Sequence, residues 1–395
     1  MKLWDKGTTL DTRVERFTVG NDYILDRALV KHDCRASAAH ARMLNAIGVL
    51  DAEELLALET ALDEIVALDA AGEFEIRPED EDCHTAIEGY LTEKLGATGR
   101  KIHTGRSRND QVLTTLRLYE KERLDVIRRA LCDYDAALGD IVGAEGHVRL
   151  PGYTHMQRAM PTTVGAWLGS YRAAARDDLL ILDAVAAIID QNPLGTAAGF
   201  GVPVLTLDRD MTTRDLGFAR TLENPIYAQL SRGKMEAMLL SACTQILLSI
   251  NRLASDLMLF TTREFNFVLL SPSVCTGSSM MPQKQNPDVL ELLRARYHAV
   301  LGEEIKLKSM SANLIAGYHR DLQLTKEPVM RALEATEDCL GILPVVLGGL
   351  VFNEARCAAA LTPEVYATER ALAKVKAGMP FREAYREAAE ELSKD

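Results

Sequence analysis

From Lys234 to Leu259 the sequence places Met235, Met238, Leu239, Ala242, Ile246, Leu247, Ile250, Leu253 and Leu257 at helical spacing. Leu240, Leu248, Met258 and Leu259 fill the other faces, so the spacing predicts a helix buried nearly all round. Its 26 residues span about 39 Å at 1.5 Å per residue. Such a rod needs other helices as neighbours, and a bundle is the economical arrangement. The near-continuous apolar coat also points to neighbours from other subunits.

Four further segments carry the same period: Gln111–Val142, Thr162–Asp190, Asp288–Met310 and Glu327–Leu340. The expected fold is therefore mostly α, a long central helical bundle with smaller N- and C-terminal helical domains. At roughly 100–200 residues per domain, a chain of 395 residues makes two or three. The punctuation places them at 1–104, 105–350 and 351–395, the last marked by Pro363, Gly378 and Pro380.

A net charge of -12 argues against nucleic acid or an anionic membrane as an obligate partner, because both attract an excess of Lys and Arg. One small anionic substrate needs only a local basic pocket. Seven scattered cysteines without a C-x-x-C pair read as free thiols in a reducing compartment. The start, Met1-Lys-Leu-Trp-Asp-Lys, carries charge where a signal peptide is apolar. The longest apolar run, Leu340–Phe352, contains Pro344 and is shorter than the ~18 residues of a membrane span. A soluble, cytoplasmic protein is expected.

The unusual residues lie in loops between the helices. His103-Thr-Gly-Arg-Ser-Arg-Asn-Asp-Gln111 precedes a long helix. Arg106 and Arg108 offer planar forks for carboxylates, while Ser107, Asn109 and Asp110 are capping types at an anion-favouring helix end. Taken alone, the segment reads first as a solvated basic turn with a good cap. Pro151-Gly-Tyr-Thr-His-Met-Gln-Arg158 sets Thr154, His155 and Gln157 before the next helix. A histidine there is an acid, a base, an orienting group, or simply satisfied by backbone carbonyls.

Thr276-Gly-Ser-Ser-Met-Met-Pro-Gln-Lys-Gln-Asn-Pro-Asp288 says more. Asn286 as cap, Pro287 at the first helical position and Asp288 in the first turn make a strong helix start. The loop brings a glycine, two hydroxyls and Lys284 to that positive end, a place to hold a carboxylate and the charge building on it. A nearby lysine also helps ionise a serine, making it a base. A plain capping loop does not account for Gly277, both serines and Lys284 together. Glu79-Asp-Glu-Asp-Cys-His84 lacks the glycine and terminal glutamate of a calcium loop and reads as a solvated acidic turn. Gly195–Gly201 lacks the third glycine of a dinucleotide fingerprint, and Ser231-Arg-Gly-Lys234 lacks the Lys-Thr-Gly companion of serine acyl-transfer enzymes.

Together these loops resemble the argininosuccinate lyases of the fumarase/aspartase superfamily, from Leu3-Trp4 to about Phe381-Arg382. Gly277–Pro287 matches the superfamily's G-S-S-x-M-P-x-K-x-N-P loop. His103–Gln111 matches the narrower H-T-G-R-S-R-N-D-Q, and P-G-Y-T-H-x-Q-R and Gly317-Tyr-His-Arg-Asp-Leu-Gln323 agree. The resemblance implies a homotetramer with active sites built from three subunits, and reversible β-elimination of argininosuccinate to arginine and fumarate. It implies no metal or organic cofactor.

Carried over by that resemblance, Ser278 is the base, and Lys284 and Asn286 hold the carboxylate that gains charge. Ser107, Arg108 and Asn109 bind substrate carboxylates beside Thr154. His155 pairs with Glu291, either as the acid or to position it. Tyr318, Gln323 and Lys326 meet the substrate, and Asp82 and His84 match an acidic–histidine pair near the site.

Three stretches depart from the family. Its G-G-R-F reads Asp5-Lys-Gly-Thr8, its N-S-x-D-A-x-S-D-R-D reads Asn224-Pro-Ile-Tyr-Ala-Gln-Leu-Ser-Arg-Gly233, and the residues after Tyr318 differ. The chain also stops soon after Gly378-Met-Pro-Phe-Arg382, where relatives usually continue, so a curtailed C-terminal domain is expected. The elimination apparatus is whole. Alternatives are a superfamily relative releasing fumarate from another substrate, such as adenylosuccinate, and a catalytically silent structural homologue like the lens crystallins. His103–Gln111 disfavours the first. The presence of Ser278, Lys284, His155 and Arg108 disfavours the second.

Overall fold

The computed structural model describes residues 11–392. The departure at Asp5–Thr8 and the Leu3-Trp4 start lie outside the described residues. Five long helices dominate: Arg108–Glu145, Val164–Ile189, Lys234–Phe260, Asp288–Met310 and Lys326–Gly348. The first has 38 residues, about 57 Å at 1.5 Å per residue. Strands are confined to short two-stranded pairs, among them the hairpin Arg149–Thr154/Gln157–Thr163. The mostly helical expectation holds.

The Lys234–Phe260 helix is as apolar around its circumference as its sequence indicates: only Lys234, Gln245 and Arg252 are exposed. By length and composition it is the one described helix able to cross a membrane, yet 56% of its most apolar window is buried inside this fold. It is a core helix. The fifth helix runs past its expected end at Leu340, through Pro344 to Gly348. Proline in a helix interior costs ~3 kcal/mol, but Leu343, Val346 and Leu347 on that last stretch are buried, at about 1.5–3 kcal/mol each. Burial wins. The fourth helix begins at Asp288, so Asn286 is not its cap. Gln285 and Asn286 instead pair antiparallel with Thr276 and Gly277, and the Pro287 carbonyl accepts the first helical bonds, from Leu290 and Glu291.

Two compact units are present. One comprises the chain up to Val126 with Ile181–Ala242 and Leu301–Glu334; the other comprises Ile127–Leu180, Cys243–Val300 and the chain from Ala335. In the first unit, Val30–Ala46 and Ala52–Ala70 form an antiparallel pair, the second opened by an Asp51/Glu54 capping box. In the second unit the Asp256 carboxylate accepts from Trp167 Nε1 at 2.8 Å and Tyr171 Oη at 2.7 Å, pinning two long helices together. Beside it Trp167, Phe260, Phe265 and Phe267 form an aromatic knot on which Tyr153 of the hairpin rests.

Candidate active site

In the first unit the start of the Arg108–Glu145 helix is fixed by Asp110. Its carboxylate accepts from the backbone N–H of Ser107, Gly195 and Ala197 at 2.8–2.9 Å, tying the Gly195–Gly201 loop to the helix end. Burial pushes this carboxyl up to about 6 against those three donors. The Ser107 Oγ accepts from Asn109 N–H at 3.3 Å. Arg106 is not an open fork as its sequence position indicated. It is buried and donates to Ser37 at 2.9 Å.

Arg108 donates through Nε to Asp82 at 2.5 Å, with Glu81 at 3.7 Å from Nη1. Asp82 also caps the Cys83–Leu95 helix by accepting from Thr85 N–H. The reading of Glu79–His84 as a solvated turn is therefore overturned: Glu81, Asp82 and His84 are all buried. Charges from distant segments allow it. Burial disfavours the charged form of Asp82, but His84, Arg108 and Lys326 outweigh it and hold its carboxyl below the usual value.

Behind Asp82 lies Asp33, which accepts a very short hydrogen bond from His84 Nδ1 and others from Gln111, Ser37 and Thr115. Burial works to raise Asp33. The His84 charge and these bonds overcome it, leaving the carboxyl at about 2. His84 is in turn raised, because Asp33 and Asp82 outweigh its burial.

Lys326, fully buried, binds Asp26 at 2.5 Å and Asp22 at 3.4 Å. Asp26, Cys83 and His84 bring ligand-type atoms within 4.8 Å of one another, and the Lys326 ammonium is the cation seated on Asp26 there. A cavity of about 20 Å³, room for one water, is lined by Asp22, Arg108, Asn109, Arg232, Tyr318, Gln323 and Lys326 among others. Gln323 itself donates to the Thr18 and Val19 carbonyls.

The second unit carries the remaining groups, all accessible. His155 stands at the tip of the two-residue turn joining the hairpin strands, where Thr154 pairs with Gln157. His155 and Met156 have φ of 52° and 60°, left-handed values that mark a primed turn normally built from Asn and Gly. Ser278 lies in the loop closed by the Thr276–Gly277/Gln285–Asn286 pair, and its Oγ accepts from the N–H of Met280 and Met281 at 3.3 and 3.1 Å. Asn286 donates to the Gly277 carbonyl, holding the loop's neck. Lys284 and Glu291 are exposed. Among the described residues no hydrogen bond or ion pair joins His155 to Glu291, or Lys284 to Ser278.

Of the residues singled out in the sequence, the fold gathers Asp82, His84, Arg108, Asn109, Tyr318, Gln323 and Lys326 into one polar cluster, the first two and Lys326 buried and the others half-buried, with Ser107 at its helix end. It displays Thr154, His155, Ser278, Lys284, Asn286 and Glu291 on exposed or half-exposed loops and helix starts. Asp22, Asp26, Asp33 and Arg232 were missed. Asp33 had a signal: it shares a helix with Ala36, Ser37, Ala39 and His40, all buried, where a carboxylate needs a partner.

Residues 7–302 match the family model described as Lyase. An argininosuccinate lyase from Thermotoga neapolitana is 47% identical over 394 residues, covering 100% of this chain and 99% of that protein. One from Sorangium cellulosum is 46% identical over 100% of this chain and 91% of its own length. Among solved structures, EDDS lyase in complex with formate superposes with a TM-score of 0.81 at 24% identity, covering 97% of this chain and 76% of that one. A Brucella melitensis protein described as fumarate lyase:delta crystallin gives 0.78 at 19% identity, covering 93% and 85%. These two share the fold. Identity above two-fifths along the whole chain is a stronger bond, and with it the chain belongs to the argininosuccinate lyase family of the fumarase/aspartase superfamily.

Proposed function

We infer that this chain cleaves argininosuccinate to arginine and fumarate, the carbon–nitrogen lyase step of arginine biosynthesis. The observation that carries the reading is whole-length identity to argininosuccinate lyases, with the His103–Gln111 segment built into the buried Arg108–Asp82 cluster. In the elimination, a base takes the proton from the carbon beside a carboxylate, and its electron pair moves into an aci-carboxylate. The aci-carboxylate pair then returns to form the C=C bond of fumarate as the C–N bond breaks, and the departing guanidino nitrogen keeps the C–N bonding pair and takes a proton from an acid.

Ser278 is the base in this reading. Two backbone N–H groups already point at its Oγ, and donors there favour the ionised oxygen. Lys284 and Asn286 hold the carboxylate that gains charge. Ser107, Arg108, Asn109 and Thr154 bind the substrate's carboxylates, and Tyr318, Gln323 and Lys326 meet the rest, with Asp82 and His84 behind Arg108. His155, backed by Glu291, supplies or positions the acid.

The working unit in this reading is a cytoplasmic homotetramer with sites shared between subunits. Two features support it. His155, Ser278 and Lys284 are too exposed to exclude water by themselves, and elimination through a dianion favours a closed site. Large apolar side chains also stand exposed on the long helices, among them Leu180, Leu292, Ile305 and Val345, and they need covering.

The test is fumarate release, followed by ultraviolet absorbance, with argininosuccinate, adenylosuccinate, aspartate and malate offered separately. Release from argininosuccinate alone is expected. Release from another substrate instead would move the chain to a different specificity, and silence with all four would make it a structural homologue.

A further inference from the structure

Arg158 closes the sequence motif that carries His155, yet the elimination scheme gives it no task. The hairpin that presents His155 is weak at its middle. Pro151 pairs with Pro161, and neither has an N–H to donate to the ladder. Just beyond, Ala159 and Met160 stand opposite Gly152 alone, a bulge that breaks the register. Only two pairs, Tyr153–Arg158 and Thr154–Gln157, lie between that bulge and the His155–Met156 turn. A two-stranded ribbon this short does not hold itself in place. The root pairs Arg149–Thr163 and Leu150–Thr162 therefore cannot aim the tip by themselves.

Other parts of the second unit take over that task. Tyr153 rests on Phe260 and Phe265, with ring centroids 6.2 and 5.6 Å away. Its cross-strand partner Arg158 reaches the turn that follows the Glu354–Ala359 helix. There Arg158 Nη1 donates to the Ala360 carbonyl at 3.2 Å and to Thr362 Oγ1 at 3.0 Å, with the Glu364 carboxylate 3.8 Å away. Thr362 in turn donates to Glu364, so the groups that receive Arg158 are themselves tied together. The same C-terminal stretch holds the other anchor, because Arg356 donates to the Glu264 and Phe265 carbonyls at 2.7 and 3.0 Å. One stretch of chain thus grips both residues of the Tyr153–Arg158 pair.

We propose that Arg158 is a positioning residue for His155: braced on the turn at 360–364, it sets where the hairpin tip stands during the elimination. This rests on the function proposed above. The tip lies about two residues beyond the Tyr153–Arg158 pair, ~7 Å at 3.4 Å per residue, so a swing at the braced pair carries the imidazole with it. A misplacement of about 1 Å at a reacting group costs on the order of 10²-fold in rate. The brace is open to solvent, with the Arg158 side chain 41% and that of Glu364 51% exposed, and such contacts add little to folding. Arg158 therefore matters to turnover far more than to stability.

The experiment compares Arg158→Met, Arg158→Lys and Thr362→Val with the wild-type chain by fumarate release, urea unfolding and hydrogen–deuterium exchange. Arg158→Met should lower kcat roughly 10–100-fold with KM within about threefold, while the urea midpoint stays near that of wild type. Backbone exchange should quicken at residues 153–158 and not in the long helices. Arg158→Lys still reaches one of the two acceptors and should restore part of kcat. Thr362→Val should lower kcat several-fold, and should add nothing on the Arg158→Met background, because both remove the same tie. A folded Arg158→Met protein with wild-type kcat and unchanged tip exchange overturns the proposal. So does a kcat loss matched by collapse of the urea midpoint, which would make Arg158 a folding residue, or a rise in KM alone, which would put it on the substrate. Should Arg158→Met fail to fold, Thr362→Val decides by the same kcat and exchange readings. Silence of the wild-type chain toward argininosuccinate would instead remove the functional reading, and the role of Arg158 in catalysis with it, whatever the exchange showed of the brace.

Discussion

Replacing Asp33 by asparagine removes one charge and leaves the shape of the side chain. The structure sets how much that charge is worth. The Asp33 carboxyl sits at about 2 rather than 3.8, and at ~1.4 kcal/mol per unit that depression corresponds to about 2–3 kcal/mol of stabilisation. His84 loses its anion in the same stroke, and a buried group stripped of its counter-charge brings the total to about 3–5 kcal/mol.

The sign with pH follows from the two directions. The depressed Asp33 contributes fully above its ordinary value and loses its contribution as pH falls toward 2. The raised His84 contributes fully below its ordinary value of 6.5 and loses its contribution as pH climbs past its folded value. The gap between wild type and Asp33→Asn should therefore be widest between about pH 4 and 6.5, shrinking on both sides. Urea unfolding followed by circular dichroism, at one fixed protein concentration, measures it. A gap below about 0.5 kcal/mol at pH 5–6, the range of an ordinary surface substitution, or a gap that ignores pH, would refute the Asp33–His84 charge pair.

Ser278→Ala should lower kcat by about 10²–10⁴-fold, the range of a lost proton-transfer group, with substrate binding kept; turnover near wild type would end the base assignment. Arg108→Lys should raise KM by about tenfold through loss of the fork, and unchanged kinetics would place Arg108 outside the site. Mixing Ser278→Ala subunits with His155→Asn subunits should restore part of the activity that each lacks alone. Mixed tetramers that stay inactive would count against sites shared between subunits.

The long helices were legible because a 3.6-residue period repeats many times over 20 or more residues. The end of the fifth was not, since a single proline outvotes its neighbours in sequence but not in a packed core. The candidate site divided along a similar line. Ser278, His155 and Arg108 stood out because loops carrying glycine, hydroxyls and charge have few structural uses. The burial of Glu81–His84 was hidden because it depends on Arg108, Lys326 and Asp33, remote in sequence and invisible to local polarity. The cap assigned to Asn286 failed by one residue, because strand pairing with Thr276–Gly277 competed for it.

The hairpin tip has a meaning for engineering. Holding His155 and Met156 at positive φ costs of order 1–3 kcal/mol each, and Asn or Gly at the second position would release the part stored at Met156. A stability screen blind to catalysis would thus favour Met156→Gly, which relaxes the turn and loosens the very imidazole it presents. On the role proposed for His155, thermal robustness and catalytic reach pull in opposite directions at this one dipeptide. A thermostable variant of this chain is better sought in the helices than at its tip.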